Sequence, residues 1–394
     1  MSAKRRPDRY HLRLTYLFGT FKRMHMDQEL QLKNSLQQHG SRSERGVFFV
    51  NRPMQLHLSD GTVFQGLAPQ WQAGQYTGEV VFNTGMTGYV ESLTDPSYAN
   101  QILVFTYPMI GNYGVQPDDA ESDKIQASGV ILSQVALKGS HSASQGSFLE
   151  WLHSQNIPVL TSVDTRALTK HLREAGTMAG IISAETVDAG KVRLEPKFVS
   201  VNEPEVHKPK GTATKTVVLV DCGAKNNILQ SLLALGLQVR RVPYNYDYTA
   251  EDYDGVVLSN GPGDPTDYAA TIAITRKALE QDKPVFGICL GTQVMALAAG
   301  ATTYKLKFGH RGHNQPCIEA ATKRCYITSQ NHGYAIDETS LPKGWEVWFR
   351  NLNDRSVEGI RHSSKPFFSV QFHPEACPGP TDTAWLFKRF FESL

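Results

Sequence analysis

The sequence predicts an α/β protein in which a doubly wound, mostly parallel sheet is preceded by a smaller α+β domain. Three observations indicate this architecture. Apolar strands alternate with helical segments from residue 215 onward, and short strands dominate residues 54–190. At 394 residues the chain is also longer than one typical domain. Strands that alternate with helices usually pair in parallel, and ligands bind beyond the carboxyl ends of such strands.

The composition is that of an ordinary globular protein, with 40% hydrophobic and 20% charged residues. The formal net charge is only +2, so nothing global indicates nucleic acid or a membrane surface as a partner. No run of 18 apolar residues predicts a membrane span. The five cysteines contain no C-x-x-C pair. They predict neither a disulfide framework nor a zinc site, and a reducing compartment fits best.

Residues 1–52 form a basic extension with 11 Lys or Arg and 4 Asp or Glu side chains. Residues 10–26 could form a basic amphipathic helix. A targeting peptide, an anion-binding arm and a start codon assigned too far upstream are open alternatives. We favour a disordered extension without a role in the chemistry, because its hydrophobic pattern is weak.

Residues 53–194 are predicted to form the smaller α+β domain. Asp60-Gly61 is a strong turn signal between two short apolar runs, which predicts a β-hairpin. A helix is expected to start at Asp164 and to end before Gly176. No catalytic cluster is evident in this domain. The other predicted elements are strands at 79–82, 101–106 and 129–132 and a helix at 147–155.

Residues 195–214 are rich in proline and charge, which predicts an interdomain linker. Residues 215–394 then form the second domain, whose alternating pattern predicts parallel strands and covering helices. The predicted strands are 216–220, 237–242, 255–259, 283–288 and 366–372, and the predicted helices are 226–235, 268–280 and 291–299.

The chemistry of the second domain is predicted to centre on Cys289. It lies between a strand and a helix and is flanked by Gly287 and Gly291 in a G-x-C-x-G pattern, the cysteine form of a nucleophile elbow. Such a sharp turn leaves no room for a Cβ at either glycine. The helix N-terminus favours the thiolate, and the Leu290 N–H would point at an oxyanion. On this motif alone, a buried structural cysteine is equally compatible.

His373-Pro374-Glu375 supplies a partner for the thiol. The proline favours extended backbone at His373, so the side chains of His373 and Glu375 face the same side. Cys289, His373 and Glu375 therefore match the logic of nucleophile, base and orienting carboxylate. Taken alone, the tripeptide would favour an ordinary loop over a catalytic pair.

Two further segments are candidates for a ligand site. Residues 260–265 are glycine-rich, and the Gly263 N–H could complement that of Leu290, although the segment lacks a nucleotide-phosphate pattern. Residues 329–334 are polar and are expected to be a loop that lines a small pocket. His310, His313 and Cys317 suggest a metal site, but no carboxylate is suitably spaced. Structural or hydrogen-bonding histidines are favoured, and no metal is predicted.

These motifs resemble those of class I, triad-type glutamine amidotransferases: FGICLG at 286–291, NGPGDP at 260–265 and QFHPE at 371–375. In the first domain the resemblance becomes specific to one family. Three segments there are similar to segments of the carbamoyl-phosphate synthase small subunit: VFNTGMTGY at 81–89, LTDPSY at 93–98 and DTRALT at 164–169. SQNHGY at 329–334 resembles the glutamine loop of that subunit. The resemblance covers residues 54–394 and not residues 1–52.

The resemblance implies that Cys289 attacks the side-chain amide of L-glutamine, with His373 and Glu375 completing the triad. Gly263 and Leu290 would hold the oxyanion through backbone groups. Members of the family often carry a glutamine-binding serine where this chain has Gly85, so only backbone contacts remain there. Tyr334 replaces a frequent Phe. The residues implied to contact glutamine are Gly85, Gly261, Gly263, Leu290, Gln293, Asn331, Gly333 and Tyr334.

The resemblance also implies a heterodimer with a large synthetase subunit. That partner would receive ammonia through a tunnel and would make carbamoyl phosphate from bicarbonate and ATP, for arginine and pyrimidine synthesis. ATP and Mg²⁺ would belong to the partner, and this chain would need no cofactor. A cytoplasmic location is expected, with organellar import by the basic extension as a minor alternative.

Other functions remain alternatives. Another class I amidotransferase or a γ-glutamyl hydrolase would share the second domain, but the first domain argues against both. A docking subunit without catalysis would be expected to lack a triad residue, and all three are present.

Overall fold

The computed structural model describes residues 50–213 and 215–394. The predictions for the basic extension therefore lie outside the described residues, except that its last residues already belong to the first strand. Within the described ranges, no helix is both long and apolar enough to cross a membrane. All five cysteines are free thiols, and three of them are buried.

The smaller domain is built on a curled sheet of seven strands in the order β2-β1-β9-β3-β4-β6-β8. Leu67 and Thr161 exchange two backbone hydrogen bonds of 2.8 Å, which join the two edges of this sheet. Strands β5 and β7 form a separate pair. The strands of this domain are β1 (Val50–Leu58), β2 (Val63–Pro69), β3 (Tyr76–Asn83), β4 (Gln101–Phe105), β5 (Met109–Ile110), β6 (Gly129–Ile131), β7 (Gln134–Val135), β8 (Val159–Leu160) and β9 (Met178–Ser183).

Helices α1 (Tyr89–Thr94), α2 (Phe148–Ser154) and α3 (Thr165–Ala175) pack on this sheet. The Asp164 side chain accepts a hydrogen bond from the Ala167 N–H, and the helix ends at Gly176 with φ +102°. Both predicted end signals of α3 are therefore confirmed. Ser147 and Glu150 cap α2 reciprocally, which satisfies N–H groups that a helix start otherwise leaves unpaired.

The second domain is built on a sheet of ten strands in the order β10-β12-β11-β13-β14-β19-β18-β17-β15-β16. Its strands are β10 (Glu205–His207), β11 (Lys215–Asp221), β12 (Leu237–Pro243), β13 (Gly255–Leu258), β14 (Val285–Ile288), β15 (Thr303–Glu319), β16 (Cys325–Ile336), β17 (Trp345–Asn351), β18 (Val357–His362) and β19 (Phe367–Val370). Its helices are α4 (Asn226–Ala234), α5 (Ala269–Glu280), α6 (Leu290–Ala299) and α7 (Trp385–Ser393).

Five neighbouring strands of this sheet, in the spatial order β12-β11-β13-β14-β19, pair in parallel and form its doubly wound part. Val217 and Leu219 of β11 pack in the core beneath α4 and α7, whereas Val218 and Val220 pack beneath α5 and α6. Alternate residues of one strand thus bury against opposite layers, as parallel strands covered on both faces do. Strands β15 to β18 extend this sheet with antiparallel pairs.

Part of the segment that was predicted to be a linker packs against the second domain. Glu205–His207 pairs antiparallel with β12. The Ser200 hydroxyl and the Val201 N–H donate to Asp221 at 2.6 and 2.8 Å. Proline and charge are compatible with a short edge strand as well as with a linker, because an edge strand needs backbone pairing on one side only.

The polar segment 329–334 is not a loop, so this prediction was wrong. It lies within β16, which pairs with β15. The Gln330 amide donates to Thr328 at 3.1 Å, and the Asn331 amide donates to Asp95 at 2.9 Å. Polar side chains can occupy a buried strand when tertiary partners satisfy them, and composition does not reveal those partners.

Candidate active site

Cys289 occupies the sharp turn between β14 and α6. Its backbone has φ +54° and ψ −106°, a conformation that costs a non-glycine residue about 1–3 kcal/mol. A Cβ on Gly287 would lie 2.7 Å from the Gly291 oxygen, and one on Gly291 would lie 2.2 Å from the Leu258 oxygen. The steric reason proposed for both glycines is therefore confirmed, and the elbow holds the thiol above the strand ends.

His373 and Glu375 follow β19, the strand that pairs with β14. His373 Nδ1 lies 2.6 Å from Glu375 Oε1, and both side chains are buried. Burial lowers the pKa of His373, but the Glu375 carboxylate and the Cys289 sulfur raise it overall to about 10. The other ring nitrogen, Nε2, is buried and has no hydrogen-bond partner among the described residues. It is the atom available to exchange a proton at the sulfur.

Lys225, at the start of α4, supports the carboxylate of this trio. Its Nζ lies 3.2 Å from Glu375 and 3.3 Å from Glu121, and it donates to the Ala376 oxygen at 2.6 Å. Burial raises the pKa of Glu375, but the Lys225 and His373 cations hold it down at about 2. Sequence reasoning missed Lys225, because no local pattern marks a lysine whose partners lie far along the chain.

A small polar pocket opens above the thiol and is lined by both domains. Seven of the eight residues predicted to contact glutamine are among its lining residues, together with three that were not predicted. The lining residues are Ser97, Gly261, Gly263, Cys289, Leu290, Gln293, Arg311, Asn331, His332, Gly333 and Tyr334.

Gly85 is the predicted residue that the structure does not place in the pocket lining. A Cβ at this position would lie 2.4 Å from His313 Cε1 and 3.0 Å from Asn83 Oδ1. Gly85 therefore lies against the His313 ring. The serine that does line the pocket is Ser97. The structure places Gly85 outside the residues that line the pocket, and its contact with glutamine stays a prediction.

Ser97 is held in place by a turn whose signal was visible in the sequence. The Asp95 side chain accepts from the Ser97 N–H at 2.9 Å, with Pro96 between them. An Asp-Pro-Ser sequence is a known start for such a turn. The Ser97 hydroxyl also accepts from the Asn260 amide at 2.9 Å. Only the fold shows that this turn meets the elbow.

The backbone around the thiol offers N–H groups where an oxyanion would form. Leu290 is the first residue of α6, so its N–H has no carbonyl partner within the helix. Gly263 has φ +88°, and it lines the same pocket. A Cβ on Gly261 would lie 2.1 Å from the Cys222 oxygen, so only glycine lets the loop approach this closely.

The three residues considered for a metal site are not gathered together. His310 instead meets His332 and Glu358, a buried trio whose ligand atoms lie within 4.8 Å of one another. His310 Nδ1 is 3.1 Å from Glu358, and its Nε2 is 2.8 Å from Asp354. Burial opposes both charges, yet the two carboxylates raise the pKa of His310 to about 9 and the two histidines lower that of Glu358 to about 2. The trio is thus bonded internally.

Two family models match different parts of the chain. A family model described as "Glutamine amidotransferase class-I" matches residues 218–393. A second model, described as "Carbamoyl-phosphate synthase small chain, CPSase domain", matches residues 56–182. A solved structure of a glutamine amidotransferase from Thermotoga maritima is 18% identical to this chain, with a TM-score of 0.33. The match covers 45% of this chain and 81% of that protein's chain.

Curated relatives are considerably more similar. The carbamoyl phosphate synthase arginine-specific small chain of Chaetomium globosum is 45% identical, over 86% of this chain and 78% of that protein. Multifunctional protein CAD of Squalus acanthias is 46% identical over 86% of this chain. The chain spans only 16% of the length of that multifunctional protein.

Proposed function

The chain belongs to the carbamoyl phosphate synthase small chain family, and on this basis we propose that it hydrolyses L-glutamine and supplies the ammonia for carbamoyl phosphate synthesis. One observation carries the proposal. A buried Cys289, His373 and Glu375 trio lies at a pocket that both domains line. The pocket is small and polar, which suits an amino acid.

The chemistry follows from the positions of these groups. The Cys289 thiolate attacks the side-chain amide carbon, and the oxyanion that forms accepts from the N–H groups of Leu290 and Gly263. The His373 imidazolium gives its proton to the departing nitrogen, which leaves as ammonia. Water then adds to the γ-glutamyl thioester, His373 takes a proton from it, and the thioester breaks to release glutamate and the thiolate.

The ammonia released at Cys289 needs an acceptor. We assign that role to a large synthetase partner, which would bind ATP and Mg²⁺ and use bicarbonate. The relatives include both a separate small chain and a multifunctional protein in which the matching part is a small fraction of the length. The products would feed arginine and pyrimidine synthesis.

Release of glutamate and ammonia from L-glutamine by the purified full chain tests the proposal. Wild type should release both in equal amounts. Cys289→Ser should abolish release, and the matched control Cys325→Ser, at an exposed cysteine, should leave it unchanged. Equal activity of Cys289→Ser and wild type would refute the proposed nucleophile. Absence of any release by wild type, alone and with a synthetase partner, would refute the function.

A further inference from the structure

Arg311 is a cation that lines the pocket, and among the described residues no carboxylate forms an ion pair with it. Its side chain lines the pocket together with Cys289, and the residue is only 5% exposed. Its Nη1 donates to the Phe308 oxygen at 2.7 Å. Its Nε is buried without a hydrogen-bond partner among the described residues. An unsatisfied buried charged group is costly, so an anionic partner is expected to complete it.

The local backbone is arranged around this guanidinium. Between the pairs Lys305–Tyr334 and His310–His332, four residues of β15 face the single Gly333 of β16. Bulges of this kind redirect side chains beside active sites. A Cβ on Gly309, which has φ +71°, would lie 2.4 Å from Arg311 Nη1, and a Cβ on Gly333 would lie 3.3 Å from Nη2. Both glycines leave the space that the guanidinium occupies.

Glu79 is a carboxylate that senses the charge of Arg311, and it already has other partners. Glu79 influences Arg311 only through space. Its carboxylate accepts from Lys305 at 2.7 Å and from Thr177 at 3.0 Å. Glu79 therefore does not pair with Arg311. The guanidinium of Arg311 lines the pocket instead.

We propose that Arg311 binds the α-carboxylate of glutamine and makes the site selective for amides that carry an anionic group at the opposite end. This inference rests on the proposed function. Arginine presents a planar fork of N–H donors that matches a carboxylate, and such charged hydrogen bonds are stronger than neutral ones. Anchoring the carboxylate at Arg311 leaves the side-chain amide free to reach the thiol. Arg311 thus positions and selects the substrate and takes no part in the bond changes.

The test uses three amides of similar size and measures ammonia release by the full chain. Glutamine carries both the carboxylate and the amine, glutaramate keeps only the carboxylate, and 4-aminobutyramide keeps only the amine. Arg311→Met should lower kcat/KM for glutamine and glutaramate by at least about 30-fold, the lower end for loss of one partner of a buried charged pair. For 4-aminobutyramide the change should stay within about threefold.

Two further variants control the measurement. Arg311→Lys keeps the charge without the fork and should give an intermediate loss. Arg324→Met changes an exposed arginine in the turn between β15 and β16 and should alter none of the three rates. Because all amides are measured on one preparation, the ratios do not depend on how much protein is folded. An amide that turns over too slowly is measured as a competitor of glutamine.

The outcomes separate this inference from the proposed function. Equal losses for all three amides in Arg311→Met would show that Arg311 only supports the fold, and would overturn the inference while glutaminase activity stands. Absence of glutamine hydrolysis by wild type would remove the proposed function and this inference with it. Selective loss for the two carboxylate-bearing amides supports both.

Discussion

The Lys225 ammonium and the Glu375 carboxylate form a fully buried ion pair, with Nζ 3.2 Å from Oε1. The same oxygen lies 2.6 Å from Nδ1 of His373. The Glu375 carboxylate therefore lies between two cations, Lys225 and His373. Glu121, 3.3 Å from Lys225 Nζ, supplies the second negative charge. Buried carboxylates tend to take up a proton, so the orienting role of Glu375 depends on a lysine that touches neither the thiol nor the pocket.

Lys225→Met should therefore impair both stability and activity. Removing one partner of a buried pair costs about 3–5 kcal/mol of unfolding free energy. Without Lys225, the pKa of Glu375 rises, so glutaminase activity should fall most at low pH and recover as pH increases. Urea unfolding and a pH–rate profile measure the two effects. Lys225→Met with Glu121→Gln should regain part of the stability. A profile parallel to wild type would show that Lys225 does not control the ionisation of Glu375.

Cys289→Ser should separate glutamine use from synthesis. The hydroxyl is much harder to deprotonate than a thiol, so glutamine hydrolysis should fall by several orders of magnitude. In complex with the proposed synthetase partner, the variant should still support carbamoyl phosphate formation from added ammonium salt. Loss of both activities in an intact complex would contradict a division of labour between the two chains.

Gly85→Ser should disturb His313 and not glutamine binding directly. Sequence reasoning predicts a modest change in KM, whereas the structure shows that even a Cβ would lie 2.4 Å from the His313 ring. We expect a loss of stability of about 1–3 kcal/mol from this overpacking. The double variant Gly85→Ser, His313→Gly should recover most of it, because the space becomes free. Thermal unfolding of the single and double variants measures this recovery. Equal losses of stability in both variants would show that the contact between residue 85 and His313 does not cause the loss.

Glu358→Gln should destabilise the protein in a pH-dependent way. The pKa of Glu358 is lowered from 4.5 to about 2, so its contribution is present above pH 4.5 and is lost as pH falls towards 2. The pKa of His310 is raised from 6.5 to about 9, so its contribution is present below pH 6.5 and is lost as pH rises through 9. The difference in unfolding free energy between wild type and variant should therefore be largest between pH 4.5 and pH 6.5, at about 3 kcal/mol.

Urea unfolding at pH 5.5, 7.5 and 9 measures this difference. The matched control is Glu346→Gln, which removes a carboxylate paired with Arg361 at the surface of the same sheet. It should change stability by less than about 1 kcal/mol at every pH. A pH-independent effect of Glu358→Gln would show that the loss comes from packing and not from charge.

Removal of most of the basic extension should spare the chemistry. Deleting residues 1–47 should leave glutamine hydrolysis within about threefold, or about 0.7 kcal/mol in barrier. Deleting residues 1–58 removes β1, which lies between β2 and β9, and should prevent folding of the first domain. Assays of both truncated chains test this. A hundredfold loss in the shorter deletion would assign the extension a catalytic role.

Local signals in the sequence predicted the elements that carry the chemistry. The strand and helix around Cys289 are confirmed within a few residues, because an apolar run, two glycines and a helix end signal act together there. The caps at Ser147 and Asp164 are equally local. These features depend on neighbours in sequence, so a single sequence contains the information that specifies them.

The remainder of the site depends on contacts that no local pattern records. Lys225 meets Glu121 across more than a hundred residues, and Ser97 meets the loop at Asn260 only after the domains dock. Arg311 enters the pocket through a bulge whose register depends on β16. The segment 329–334 was predicted to be a loop because it is polar. The prediction failed because partners such as Asp95, which accepts from the Asn331 amide, lie elsewhere in the chain. Tertiary context overrides composition at such positions.

Asp95 links the two domains through one short carboxylate. One oxygen accepts from the Ser97 N–H at 2.9 Å and from the Asn260 amide at 3.3 Å, and the other accepts from the Asn331 amide at 2.9 Å. Both asparagines belong to the second domain. A second domain transplanted from another amidotransferase would meet this carboxylate only if it carried both amides. Exchange of one domain by genetic recombination would thus preserve both folds but disrupt the pocket that the two domains line together. The two domains are therefore expected to be inherited and to diverge as a unit.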